Sequence, residues 1–381
     1  MQSLNILIVG SGIAGLTCAG LLKQQGASFK IIEKEKVDDF NTSGYMLGIL
    51  PLGGRVMTEL NLTEEYNSRS VEMSEYEIHK ENGALIKTYS LGFINDEYGS
   101  YRGIERKLLI DIMLNKIGKD SVLFGTTINQ IVLSNNGVNI TFSDNTKEFF
   151  DLVIVADGMH SETRSLLWAR NEYDYYDTHW GGWVEWISNQ SLTSYKEYWG
   201  AGSFLGLYPV KDHIGLFLGG PDNVIKKQGL KSFAQSIKSE IHPEHEILHK
   251  ALDKLAETRN PYYWELHDVR TKGWQKGNVI LLGDAASGFL PTAGVGASMA
   301  MDSAASLVDE LSRTDRDHIE YGLRLYVKNQ KERVERAQAD SRKLGKMMFI
   351  ESKIISKARD FATRFYTLQQ LVKNISKTIE G

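Results

Sequence analysis

A chain of 381 residues exceeds one ordinary hydrophobic core, so two intimately packed domains are expected. With 42% apolar and 24% charged residues the composition is that of a soluble globular protein, and a net charge of −4 gives no reason to expect nucleic acid or another polyanion as a partner. The one cysteine, Cys18, excludes an intramolecular disulfide and a cysteine metal cluster. No apolar run approaches the roughly 18 residues of a membrane span. The first residues lack the regions of a secretory signal, and a reducing cytoplasm is the expected compartment.

Asn5 to Val9 is a short apolar run ending in glycine, Ala14 to Gln25 is helix-like, and Phe29 to Glu33 is a second strand. This is a β-α-β unit. Ser43 to Gly54 reads as a loop leading to a helix, and Val71 to Tyr89 as antiparallel strands. Glu105 to Ile117 is helical. Val122 to Phe150 holds two alternating runs split by the turn Asn135-Asn136-Gly137, and Asp151 to Ala156 is a buried strand. From Tyr173 to Phe217 the chain is dense in Trp, Tyr and Gly and reads as a second sheet. Leu230 to Ile241 and His245 to Thr258 are predicted helices, and Tyr262 to Val269 a strand. Val279 to Leu282 rejoins the first domain, a helix follows to about Leu311, and His318 to Lys377 reads as continuous helix.

Gly10, Gly12 and Gly15 follow a strand and open a helix. Gly10 permits a tight turn, Gly12 lets backbone amides approach a pyrophosphate, and Gly15 allows close helix–strand packing. The helix N-terminus offers free N–H groups and a partial positive charge to phosphates. Glu33, ending the second strand, suits a carboxylate that bonds the ribose hydroxyls of an adenosine. The fingerprint alone does not separate FAD from NAD. Far along the chain, a buried strand ends in Gly283-Asp284. Pro291 follows, then Gly294, Gly296 and a small-residue helix from Ala297, which reads as a second cofactor-contacting element. Asp157-Gly158 ends the buried strand in the middle.

The order and spacing of these three motifs resemble the para-hydroxybenzoate hydroxylase-like (class A) FAD-dependent monooxygenases, over roughly residues 4 to 345. That resemblance implies an α/β fold: a Rossmann-like FAD-binding domain with an inserted mixed-sheet substrate domain and C-terminal helices. The FAD-binding parts would be 1–70, 101–170 and 268–345, the substrate parts 71–100 and 171–267, and 346–381 a helical tail. It also implies that Asp284 binds the ribityl chain, and that the helix after Gly294-Val295-Gly296 faces the pyrimidine edge of the flavin. Asp157-Gly158, closed by Arg164, would serve FAD and the nicotinamide donor, and Arg106 would reach the phosphates. Ile13, Ala14, Lys34, Gly283 and Ala297 complete the expected cofactor contacts. Ser287 and Ser298 depart from the histidine and asparagine common in the family.

The nine histidines form no helical metal-binding spacing, and no nucleophile elbow is present. The resemblance therefore implies flavin-borne chemistry with no catalytic side chain: NADPH or NADH reduces FAD, and a flavin hydroperoxide inserts one atom of molecular oxygen into an aromatic, enolic or polyketide-like molecule. Trp183, Trp186, Phe204, Tyr208, Phe217 and Pro291 are the substrate-binding candidates, drawn mainly from an aromatic-rich second sheet that suits a hydrophobic partner. Met347 to Ile375, basic and amphipathic, either caps the pocket, as in tetracycline-inactivating members of the family, or lies on the surface of the protein or of a membrane. The chain is expected to be monomeric or dimeric. Two alternatives stay open: a reductase or desaturase of the geranylgeranyl reductase type, and an FAD-binding protein without turnover.

Overall fold

Ile6–Val9 has no polar alternation, the pattern of a strand covered on both faces, and it is buried throughout. In the computed structural model, which describes residues 4–41, 44–188, 192–259 and 261–365, this strand lies inside a six-stranded sheet. The order is Gln275–Lys276, Val279–Leu281, Leu152–Val155, Ile6–Val9, Phe29–Glu33 and Val122–Phe124. Every pair is parallel except the first, an antiparallel edge. Val9 pairs with Val155, and Val155 with Leu281. That register brings three strand ends into line, so segments more than a hundred residues apart meet at one carboxyl edge, where open α/β sheets bind ligands. Ile13–Gln24 and Gly296–Ser312 pack on the sheet and on each other.

A seven-stranded mixed sheet stands beside it. Its order is Tyr262–Thr271, Tyr173–Ser188, His213–Pro221, Phe204–Pro209, Ser194–Trp199, Glu75–Lys80 and Leu85–Ser90. Only Ser194–Trp199 with Glu75–Lys80 is parallel. One face is covered by Leu230–Glu240 and Glu246–Glu257 through Leu205, Leu207, Leu216 and Leu218. The other face turns toward the parallel sheet.

Four local expectations need correction. Ser43 lies outside the described residues. Within the rest of the segment predicted as a loop, Met46–Ile49 is a strand paired with Arg102–Glu105, and the helix Pro51–Glu59 starts with proline where its missing N–H costs nothing. Val122–Phe124 joins the parallel sheet rather than the hairpin of Ile128–Ser134 and Gly137–Phe142. Short helices Gly92–Tyr98, Glu162–Leu167 and Asp222–Gln228 stand where none was expected. The long terminal helix is broken. Ile319–Met348 ends, the ring of Phe349 stacks on Trp180 at 4.7 Å, and Ser352 caps a new helix, Lys353–Thr363, by accepting from Ile355 N. Leu368, Val372, Ile375 and Lys377 of the expected tail lie outside the described residues.

Candidate functional site

At the three aligned strand ends, glycine is used in two distinct ways. A Cβ on Gly10, whose φ is +99°, would lie 2.6 Å from Ala156 O, and one on Gly15 would lie 2.0 Å from Gly10 O. These glycines let backbone pack on backbone. Gly12 and Gly158 differ: a Cβ on either meets nothing within 4 Å, and both line the same cavity. They leave room for something other than the protein. Ile13 and Ala14, in the first turn of the helix, line it too, so that helix N-terminus faces the space. Glu33 does not. Its Oε2 accepts from Ser11 N and Oγ, each at 2.9 Å, and its Oε1 from Glu35 N, which fixes the turn from behind. Lys34 is exposed and outside the lining.

Asp157 lies at the second strand end. Its Oδ2 accepts from Thr163 N at 3.2 Å, whereas Oδ1 is buried with no hydrogen-bond partner. Burial raises its pKa, with the neighbouring Ser161 and Thr163 opposing the rise. Arg164 is fully buried. It donates to Ala285 O at 2.8 Å and Met159 O at 2.9 Å, and it stacks over Tyr173. It therefore ties the Asp157 loop to the Asp284 loop.

At the third end, Gly283 adopts φ +59°, and Asp284 lines the cavity. Burial raises the Asp284 carboxyl to about 6, with the Arg106 guanidinium opposing the rise. Arg106 also lines the cavity, beside Tyr45. Pro291, Gly294 in the left-handed region, Gly296 and Ala297 form the adjoining wall at the start of Gly296–Ser312. Ser298 turns away and accepts from Leu50 N at 2.9 Å, and Ser287 Oγ is buried without a partner. An open Cβ space at two glycines, a helix N-terminus and an orphaned carboxylate oxygen fit a bound dinucleotide.

The cavity, about 810 Å³, continues from this cradle to the mixed sheet. Phe204, Tyr208 and Phe217 line it, as does Pro291. Trp183 and Trp186 do not. Trp183 pairs with Leu218, one step from the Val184–Phe217 pair, so the two-residue period puts it on the opposite face, against Phe233 and Tyr263. Trp186 shares the face of Val184 but lies toward the strand's end beside His213, outside the lining. Sequence reasoning missed Tyr76, Tyr195, Glu197 and Trp264, which complete the wall. The signal was present: Tyr195, Glu197 and Trp199 alternate along one strand. From the long helix, Leu344, Met347 and Met348 close the cavity together with Phe349, whereas Ile354, Ile355, Phe361 and Phe365 of the following segment are exposed.

A parallel sheet with this cradle, joined to an aromatic mixed sheet by one cavity, fits a dinucleotide-binding protein with a second, aromatic compartment. A family model described as FAD binding domain matches residues 3–341, and the chain belongs to that family, as a class A FAD-dependent monooxygenase. A flavin-dependent monooxygenase from an unknown prokaryotic organism is 26% identical over 351 residues, covering 84% of this chain and 83% of the relative. An FAD-dependent urate hydroxylase from Klebsiella pneumoniae is 28% identical over 319 residues, 79% of each chain. Among solved structures, Klebsiella pneumoniae HpxO complexed with FAD and uric acid superposes with a TM-score of 0.88 at 22% identity, covering 100% of this chain and 97% of that one. The tetracycline destructase Tet(55) does so with a TM-score of 0.71 at 19% identity, covering 98% and 94%. Both share the fold. Among the described residues, no helix is long and apolar enough to cross a membrane, and no cluster of three or more His, Cys, Asp or Glu is spaced to hold a metal ion.

Proposed function

We propose that this protein is an NADH- or NADPH-consuming hydroxylase that inserts one atom of molecular oxygen into an apolar, ring-bearing small molecule, aromatic, enolic or polyketide-like. The observation that carries this reading is the single cavity joining the glycine-opened cradle to the aromatic face of the mixed sheet. FAD bound there, once reduced, supplies oxygen activation and single-atom transfer. The chain's own residues do the rest. The N-terminus of Ile13–Gln24 and the guanidinium of Arg106 would hold the diphosphate, and Asp284 would accept from the ribityl hydroxyls. Asp157, through its unpartnered Oδ1, accepts a hydrogen bond from the cofactor. The N-terminus of Gly296–Ser312 would favour negative charge on a flavin bound against it.

In the same reading, Phe204, Tyr208 and Phe217 orient the substrate ring, and the end of the long helix around Met348 and Phe349 keeps water out. Residues 1–70, 101–170 and 268–345 serve the cofactor, and 71–100 and 171–267 the substrate. The protein acts in the reducing cytoplasm as a monomer or dimer. The test is a screen of hydroxylated ring compounds for stimulated NAD(P)H oxidation, read with oxygen uptake and product mass. Stimulation with uptake and a product heavier by one oxygen atom supports the reading. A product gaining hydrogen without oxygen uptake assigns a reductase instead. A colourless protein that cannot be reconstituted with FAD overturns it altogether.

A further inference from the structure

Two acids of the mixed sheet line the cavity, Glu265, which is exposed, and Glu197, which is buried. Glu197 lies on Ser194–Trp199, 4% exposed. Its Oε2 accepts from Tyr76 Oη at 2.5 Å and Trp199 Nε1 at 2.9 Å, and its Oε1 from Tyr208 Oη at 2.9 Å. All four side chains line the cavity. A carboxyl group taken this far from water is costly, and it usually finds a cation. Among the described residues none is paired with it. Burial raises its pKa, and only the three donors oppose the rise. The charged groups nearby are engaged elsewhere. Arg359, stacked over Trp199, pairs with Asp360, Lys343 bonds Asp340 at the long helix, and Arg106 sits by Asp284 in the cradle.

The hydrogen-bond chemistry of this cluster is one-sided. A carboxylate accepts about four bonds and three are used here. Each tyrosine that donates to Glu197 keeps its own oxygen lone pairs as acceptors. The only N–H in the group, Trp199 Nε1, is spent on Glu197. The cluster therefore offers a carboxyl group and acceptor lone pairs, set in apolar surroundings where a like charge is strongly disfavoured.

We propose that Glu197, held by Tyr76, Tyr208 and Trp199, is a specificity-determining anchor that selects ring-bearing substrates whose polar end is a hydroxyl or an amine, and rejects those that carry a carboxylate. This deepens the hydroxylase reading and rests on the sheet face being the substrate half of that site.

The test uses purified, FAD-loaded protein and three probes on one ring system: naphthol, naphthylmethylammonium and naphthoate. Dissociation constants are read from the perturbation of flavin absorbance. The wild-type protein is expected to bind the ammonium and the naphthol at least about tenfold more tightly than the naphthoate. Glu197→Gln keeps the shape and removes the charge, so it should shrink the ammonium-over-naphthoate preference by about tenfold at unchanged FAD content. Tyr208→Phe should weaken naphthol while leaving the ammonium-to-naphthoate ratio unchanged. An unaltered ranking in Glu197→Gln overturns the proposal. So does tight naphthoate binding by the wild type, a wild-type flavin that responds to none of the probes, or loss of FAD from both variants, which makes the cluster a structural one. A wild-type protein that takes up no FAD overturns the hydroxylase reading instead.

Discussion

The two halves of the cavity are built by different rules. In the cradle, backbone does the work: glycines at Gly10 and Gly15 are required by contacts of 2.6 and 2.0 Å, and the open positions at Gly12 and Gly158 leave space. On the mixed sheet, side chains do the work, and every second residue counts. Tyr195, Glu197 and Trp199 face the cavity while Tyr198 packs under the helices. Backbone requirements write short contiguous motifs. A sheet face writes a sparse pattern spread over six strands. The difference teaches that the cradle is shaped by where backbone can approach backbone, whereas the sheet face is shaped by single side chains.

The sharpest break of that comparison is within the glycines. Gly15→Val should abolish folding or FAD binding outright, because the new atoms collide with the Gly10 carbonyl. Gly12→Ala should leave the melting temperature near wild type and weaken FAD, since its Cβ meets only open space. Equal melting temperatures for the two variants would remove the distinction.

Next in size, Trp183→Ala should cost about 3 kcal/mol of stability through the cavity it leaves among Phe233, Tyr263 and the covering helices. Phe217→Leu should cost less and shift substrate affinity instead. Chemical denaturation alongside substrate titration separates the two, and a substrate defect confined to Trp183→Ala would reverse the assignment of faces.

Asp284→Ala should weaken FAD by roughly 1.5–3 kcal/mol, the value of a charge-assisted bond, and Ser287→Ala should weaken it far less. Without FAD, the raised Asp284 pKa has a definite sign. Between its ordinary 3.8 and about 6, the folded protein holds the proton more tightly than the unfolded chain, so this group's contribution falls as pH rises through that window. Asp284→Asn should therefore melt progressively higher than wild type, as apoprotein, from pH about 4 to about 7. A melting difference independent of pH would contradict the burial of that carboxyl.

The smallest effect is expected from the tail. Removing residues 349–381 takes away Phe349 but no cradle residue. FAD content should hold while hydrogen peroxide per NAD(P)H rises by a few-fold, as water enters. Full coupling in the truncated protein would make the segment a surface helix only.

Much of the cradle was legible because strand, turn and helix start are local. The three strand ends were joined by the order and spacing of their motifs, and the parallel register then brings them together. Glu33 shows the limit: its position suits a ribose, yet Ser11 takes one of its oxygens, a contact no spacing rule encodes. On the sheet, Phe204, Tyr208 and Phe217 could be found as aromatics, but Trp183 and Trp186 were grouped with them because aromatic content carries no phase. Phase comes from register, and register here depends on pairing with strands far along the chain. The helix break was written in Ser352, a capping residue hidden inside a continuous apolar stripe.

The most direct test of a cradle that holds FAD and a sheet face that holds the substrate is turnover under isotopically labelled dioxygen, with a ring compound that stimulates NAD(P)H oxidation. The account predicts one labelled oxygen atom in the product for each NAD(P)H consumed in coupled turnover. A product that forms at the same rate with no label, its oxygen drawn from water, would contradict it.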